Sequence, residues 1–359
     1  RFSRSKDNYV KDLEAINKQI YEHFGITKKE VEDIQEIVSK AGDNQEGSIF
    51  DLTEEELFSQ IFSILLGCCF GRWDIRILKH WKREWSDEDI FKARKHSPFL
   101  FGPRKSTLDL VLPEHHHELK DIWEKPYPVQ ILRDGIGVLD QENSQDLVKK
   151  LQEVVYFFWD FNADTVLDEI QNHFGVKELE EIFTNHSRFF DQHLKDYSVN
   201  RRISPIYWPI TTESGSYTIW LYYPGLTDQT LYKVVNDFLN PKLQDIEKQM
   251  RWLQQGDGKG GKELNELRGL EQELLAFKEE LLRVARLPYR PNHDDGVLIT
   301  AAPLHRLFSH PKWRKATEKC WEELEAGEYD WAHLAYAIWP ERVREKCKTD
   351  LSMAIAHGL

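Results

Sequence analysis

Three groups of residues in this sequence have the types and spacing of metal ligands. Asp109, Glu118 and Lys120 reproduce the spacing of a metal-dependent nuclease, in which two carboxylates hold a divalent cation and the lysine assists the attacking water. That spacing is loose, and it falls in a proline-rich stretch. Adjacent histidines such as His115–His117 cannot all face one ion on a regular element, so a solvated loop is favoured there. Asn292–Asp295 offers oxygen and imidazole ligands, but it is more typical of an acidic turn that caps the next element.

Other catalytic motifs are missing from the sequence. The four cysteines form no CxxC pair, which argues against a zinc cluster. No Pro-Pro dipeptide occurs, so the Asn/Asp-Pro-Pro-aromatic motif that holds a flipped base in amino-methyltransferases is absent. Asp134–Asp140 resembles a nucleotide-binding glycine loop only faintly, and a simple turn is favoured. Neither a Gly-x-Ser-x-Gly elbow nor a Walker-type phosphate loop is present.

A basic and aromatic stretch between residues 72 and 105 is the strongest candidate for binding. It holds ten basic and five acidic residues, a balance of +5 in a chain whose net charge is -13. Tryptophans and phenylalanines interleave with this charge, a mixture typical of proteins that hold nucleic acid. A solvated face over an aromatic core is the alternative interpretation. The candidate phosphate-binding residues of the stretch are Arg72, Arg76, Lys79, Lys82, Arg83, Arg104 and Lys105.

The elements that must position these residues are mostly helices. Apolar spacings of three and four predict helices before residue 70 and over 145–197, and Tyr127–Leu132 has the composition of a short strand. Two β-branched and aromatic runs joined by TTESGS predict an antiparallel hairpin over 203–223. Two helical stretches separated by GDGKGG predict a helical hairpin arm. The expected fold is α+β, predominantly helical, with a small antiparallel β element and a long helical hairpin arm.

These elements suggest four regions along the chain. The predicted regions are a helical layer ending in the basic aromatic stretch (1–90), a mixed α/β region containing the hairpin (91–226), the helical arm (227–290) and a Trp-rich helical region (291–359).

Composition predicts a soluble, reduced, cytoplasmic protein. Apolar residues make up 40% of the 359 residues and 44 of them are aromatic, too much buriable surface for a disordered chain. No run approaches the ~18 apolar residues of a membrane span, and the first ten residues lack the apolar core of a signal peptide. Because the sequence begins with Arg1, we expect a piece of a longer protein whose catalytic residues lie outside it.

Several motifs carry a family resemblance. They are FGRWDIR (70–76), NRRISPIYW (200–208), SGSYT (214–218), LYKVVNDF (231–238), YDWAHL (329–334) and IAHG (355–358). With these motifs in matching order, the chain resembles the C-terminal half of large adenine-specific DNA methyltransferases, most closely the PglX-type enzymes of BREX-like phage-defence systems.

The resemblance implies a non-catalytic module that reads and clamps double-stranded DNA. In that family the S-adenosylmethionine pocket and the adenine-flipping motif lie in an N-terminal half, which would be this chain's partner, so no cofactor is expected here. Arg201 and Arg202 become candidates for base edges or phosphates, because arginine can grip guanine bidentately, although a surface salt bridge is the alternative. Tyr207, Trp208 and Tyr217 are candidates that could face DNA or pack the hairpin, and Ser216 is a further DNA-binding candidate.

A protein-interaction role is the second hypothesis. The acidic body and the apolar periodicity of the arm are typical of a scaffold that docks other defence proteins or the catalytic half of its own enzyme. An independent nuclease built on Asp109, Glu118 and Lys120 is the third.

Overall fold

The computed structural model describes residues 54–79, 127–199, 202–255 and 261–359. Helices, with the 3-10 and π-helical turns included, hold 67% of the described residues and surround one three-stranded antiparallel sheet, so the prediction of a predominantly helical α+β fold is confirmed. The helices are α1 (Glu54–Cys69), α2 (Ile75–Lys79), α3 (Leu147–Trp159), α4 (Ala163–Phe174), α5 (Glu181–Thr184), α6 (Phe189–Asp196), α7 (Thr230–Lys233), α8 (Asn240–Gln255), α9 (Gly261–Ala285), α10 (Val297–Ala301), α11 (Pro311–Ala326), α12 (His333–Ile338), α13 (Pro340–Cys347) and α14 (Leu351–Ala356).

The strands form one sheet and one short ribbon. The sheet has the order β1-β5-β4, and the ribbon pairs β2 with β3. The strands are β1 (Ile136–Val138), β2 (Ser198–Val199), β3 (Arg202–Ile203), β4 (Tyr207–Thr211) and β5 (Thr218–Tyr222).

The hairpin of β4 and β5 lies at the centre of the molecule, within the predicted range. Its register pairs Tyr207 with Tyr222 and Thr211 with Thr218. Every residue of β5 is buried, because helices cover both faces of the sheet. The β-branched and aromatic residues of both strands therefore pack on both sides instead of alternating with polar ones. Gly215, at φ +79, takes the left-handed conformation that the turn requires.

The third strand lies later in the chain than the sequence predicts. The expected strand Tyr127–Leu132 is wrong, since β1 begins only at Ile136, after a 3-10 turn over Arg133–Gly135. Pro128 has no N–H to donate to a strand, and the N–H of Leu132 bonds to the carbonyl of Cys69 at 2.9 Å, at the end of α1. The segment before β1 is thus fixed to a helix rather than to the sheet.

The arm consists of α8 and α9, whose connecting residues 256–260 lie outside the described part of the chain. The Nζ of Lys278, late in α9, donates to Oδ1 of Asn240, the first residue of α8, at 2.7 Å, as expected for antiparallel helices. Leu274, Phe277 and Leu281 of α9 are buried in the same apolar cluster that contains the hairpin and α1. The base of the arm is therefore part of the core. In the part of the chain that the structure describes, no helix is long and apolar enough to cross a bilayer.

Candidate nucleic-acid interface

Two predicted DNA-binding segments that are far apart in sequence meet at the end of α1. Gly71, at φ +68, ends the helix and turns the chain into Arg72, whose N–H bonds to the carbonyl of Gly67 at 2.7 Å. The Nη1 of Arg72 donates to the hydroxyl of Tyr197 at 2.9 Å, across 125 residues of sequence. Tyr197 directly precedes β2, so the turn that carries Arg72 lies against the ribbon that carries Arg202.

The ribbon is anchored to the structure at its base. Ser198 pairs with Ile203 and Val199 with Arg202, while residues 200 and 201, which join the strands, lie outside the described residues. The N–H and Oγ of Ser204 both donate to the carbonyl of Tyr197, at 2.9 and 3.1 Å. A two-stranded ribbon is one of the two elements that the DNA major groove admits.

His193 connects the ribbon to the sheet, and sequence reasoning missed it. Its Nε2 accepts hydrogen bonds from the N–H groups of Ile206 and Tyr207, at 3.1 and 3.2 Å. An atom that accepts two N–H bonds must be unprotonated, and complete burial, with a smaller effect from Arg72, lowers the pKa of His193 to about 3. The available signal was the spacing of His193 in α6 and Tyr197, the residue that follows the helix, since residues four apart on a helix share one face.

The position of Arg72 is set by aromatic side chains. Its guanidinium carbon lies 4.8 Å from the ring centroid of Trp73, a cation-π distance. Burial acts to lower its pKa, but nearby tyrosine hydroxyls, including those of Tyr207 and Tyr197, outweigh it, and the pKa lies above its ordinary value. Arg72 therefore stays charged in a half-buried position.

Arg76 is not a surface residue, and its predicted role in phosphate binding is corrected. Its guanidinium donates to both carboxylate oxygens of Asp74, through Nε at 3.1 Å and Nη2 at 2.8 Å, and both side chains are 4% exposed. It also stacks on Tyr127 at 4.7 Å. Lys79 is exposed, with Nζ donating to the carbonyl of Phe157 and lying 4.4 Å from that ring's centroid.

The three hairpin aromatics are core residues, which corrects the prediction that they could face DNA. Tyr207 and Trp208 are fully buried and Tyr217 is 3% exposed, so none offers a face to a base. The indole Nε1 of Trp208 donates to the carbonyl of Pro205 at 2.7 Å. Their size and apolar area explain their place in the sheet's two packed faces.

Ser216 is exposed at the hairpin turn but is bonded within the protein. Its Oγ donates to Oε2 of Glu273 on the arm at 2.8 Å, and Ser214 donates to the same oxygen at 2.5 Å. Partial burial acts to raise the pKa of Glu273, but these hydrogen bonds outweigh it and lower the pKa. The contact fixes the turn to the arm.

The remaining candidates from the sequence lie outside the described residues. They are Lys82, Arg83, Arg104, Lys105 and Arg201, together with the nuclease candidates Asp109, Glu118 and Lys120 and the histidines His115–His117. Arg202 belongs to β3 by its backbone.

The Asn292–Asp295 motif forms a turn, as the sequence favoured, but it caps the distant helix α12 and not the next helix, α10, whose N-cap Gly296 has no side chain to do so. Oδ1 of Asn292 accepts from the N–H of Asp294 at 2.9 Å, and the buried carboxylate of Asp295 accepts from the N–H groups of His333 and Leu334, both at 2.8 Å. The described residues contain no group of three or more His, Cys, Asp or Glu side chains arranged to hold a metal ion.

No protein-family model matches the chain, and no curated protein is significantly similar to it.

Proposed function

We propose that this chain is a non-catalytic DNA-recognition and clamping region of an adenine-N6-specific DNA methyltransferase that acts in phage defence in the cytoplasm. The contact between Arg72 and Tyr197 carries the proposal, because it joins the turn that holds Arg72 to the ribbon whose strand β3 begins at Arg202, the residue that follows Arg201 in the sequence. A duplex held there would be presented to a separate catalytic half, which would bind S-adenosylmethionine. The family resemblance of both segments supports the same role.

The mechanism follows from how arginine interacts with DNA. In this proposal Arg72 and Lys79 contact phosphates, which position the duplex without reading its sequence. Arg201 and Arg202 enter a groove, where a bidentate contact to guanine discriminates by about 1–3 kcal/mol per base pair. The aromatic residues of the hairpin do not contact DNA in this proposal, because they are buried in the core next to the ribbon.

Duplex binding by this chain, measured by fluorescence anisotropy over a salt series, tests the proposal. The Arg201→Glu/Arg202→Glu variant should bind the duplex more weakly. The slope of its log binding constant against log salt concentration should become less negative by about 0.9 for each phosphate that it no longer neutralises. Lys262→Glu/Arg268→Glu changes the charge of the exposed arm equally and is the matched control. If both variants lose the same amount of duplex affinity, the loss comes from the change in total charge and not from the ribbon, and the proposed role of the ribbon is refuted.

A scaffold that docks other defence proteins is the second candidate, and one observation favours it. Trp252 on α8 is 75% exposed, and tryptophan is enriched at the energetic centres of interfaces. Deleting the arm would remove Leu274 and Phe277 from the core, so a point substitution is the better test. Trp252→Ser should abolish capture of a partner by this chain, while Gln254→Ser on the same exposed end of the helix should not.

A further inference from the structure

A basic cleft is formed by residues between 288 and 344, which follow the candidate nucleic-acid interface in the sequence. It has a volume of about 490 Å³ and lies between the segment that follows the arm and helices α12 and α13. Arg290, Arg344 and His333 line it, together with Asn292 and prolines, and no carboxylate does. A cleft lined only by basic and neutral groups is unexpected in a chain of net charge -13.

The buried carboxylate of Asp295 fixes the orientation of the His333 imidazole. Its Nδ1 lies 2.9 Å from Oδ1 of Asp295, which is 5% exposed. A carboxylate can only accept, so Nδ1 carries a proton and Nε2, on the other side of the ring, is the nitrogen turned away from the buried acid. The ring is 44% exposed, and Nε2 has no hydrogen-bond partner within the described residues. The same Asp295 carboxylate caps α12, so both cap and orientation come from one buried group.

The two arginines are available in different ways. The Nε of Arg344 donates to the hydroxyl of Tyr336 at 3.2 Å, and its guanidinium carbon lies 5.5 Å from that ring's centroid, which leaves the two Nη groups to donate elsewhere. Arg290 is exposed and makes no hydrogen bond or ion pair with any described residue. One guanidinium is thus positioned by an aromatic ring and the other is unpaired.

We propose that this cleft binds the phosphate group of a phosphate monoester. Two guanidinium groups supply donors for the anionic oxygens of a monoester from two sides. With its proton on Nδ1, the His333 ring presents Nε2 to the cleft as an acceptor, and the P–OH of a monoester monoanion can donate to it whereas a carboxylate cannot. Pro288, Pro291 and Pro340 offer apolar surface to the organic part of the ester. The monoester belongs either to a free small molecule such as a mononucleotide or to the 5′ end of a nucleic-acid strand.

This inference goes beyond the proposed DNA-recognition function. The cleft contains none of the residues assigned to the ribbon or to the Arg72 turn. Variants that lose duplex binding at the ribbon should therefore still bind phosphate in this cleft. Variants that lose phosphate binding in the cleft should still bind a duplex at the ribbon.

Isothermal titration of the full chain with adenosine monophosphate, in competition with inorganic phosphate, tests the proposal. Arg290→Gln and Arg344→Gln should each weaken binding by about tenfold, or about 1.4 kcal/mol. Arg286→Gln is the matched control, because this exposed arginine precedes Arg290 by four residues and does not line the cleft. Arg344→Gln could also disturb Tyr336, to which Arg344 is bonded. Arg290 has no partner among the described residues, so a loss of affinity in Arg290→Gln reports on phosphate binding alone.

The outcomes separate the sources of the phosphate. Preference for a 5′-phosphorylated oligonucleotide over its 5′-hydroxyl form, abolished in Arg290→Gln, assigns the site to a strand end. Binding of the mononucleotide alone assigns it to a free small ester. The proposal is overturned by acetate binding as tightly as phosphate, by unchanged binding in the Arg290→Gln/Arg344→Gln double variant, or by no saturable binding at about 10 mM, where a site with a Kd near 1 mM would be occupied.

Discussion

Replacing Arg76 by methionine should destabilise the fold without weakening DNA binding by the protein that remains folded. The guanidinium supplies two hydrogen bonds to Asp74, and both side chains are 4% exposed. The substitution leaves a buried carboxylate whose one remaining described donor is the backbone N–H of residue 76, at 2.9 Å. Breaking a buried ion pair on one side costs about 3–5 kcal/mol of unfolding free energy.

A double-substitution cycle isolates this pair. Compared with the single variants Asp74→Asn and Arg76→Met, the double variant Asp74→Asn/Arg76→Met leaves no unpaired buried charge, and the asparagine Oδ1 can still accept from the N–H of residue 76, so its unfolding free energy should return to within about 1 kcal/mol of the wild type. The measurement is urea unfolding followed by tryptophan fluorescence, with duplex affinity measured separately below the unfolding transition. A loss below about 1 kcal/mol in Arg76→Met, the value of an exposed pair, together with a tenfold loss of DNA affinity, would refute the burial argument and return Arg76 to the phosphate-binding set.

Three further substitutions test the surroundings of the site. Gly67→Ala would place a Cβ 2.5 Å from Cδ1 of Trp73. We therefore expect the unfolding free energy measured in urea to fall by about 1–3 kcal/mol, and duplex binding to weaken because Arg72 is displaced. An unchanged unfolding midpoint would contradict this expectation. Folding lowers the pKa of His193 from 6.5 to about 3. The unfolded chain therefore binds more protons between these values, and unfolding free energy should fall with decreasing pH by up to about 1.4 kcal/mol per pH unit. His193→Gln should flatten this slope between pH 7 and 5, and a slope equal to that of the wild type would exclude His193 as its source. Trp252→Ser should leave the unfolding midpoint unchanged because the side chain is 75% exposed; a large decrease would show that the indole is packed.

The parts of the fold that the sequence predicted are those with local signals. The hairpin is marked by two β-branched runs around a glycine turn, and the arm by its apolar periodicity. Strand β1 has only three residues and exists because Ile136 pairs with Leu221, 85 positions away. Such a pairing depends on the assembled sheet and leaves little trace in the strand's own composition.

The candidate site was less predictable for the same physical reason. Aromatic residues serve equally as core and as stacking surface, so the burial of Tyr207 and Trp208 could not be decided from their types. The pair of Asp74 and Arg76 did have a local signal, since an aspartate before a helix commonly caps it and restrains its neighbours. The contact between Arg72 and Tyr197 joins distant segments and required the structure.

The charge distribution constrains how such a chain could hold DNA. Residues 72–105 carry +5, which leaves -18 on the rest of the chain, so the chain as a whole repels a duplex. With Arg76 buried, fewer basic groups remain for phosphates, and neutralising three phosphates would give a log-log salt slope of only about -2.7. Under this proposal, non-specific affinity is low and stable binding requires a second basic surface, which the catalytic half would supply. In this proposal the acidic remainder of the chain would also weaken non-specific contacts with the duplex, because like charges repel each other.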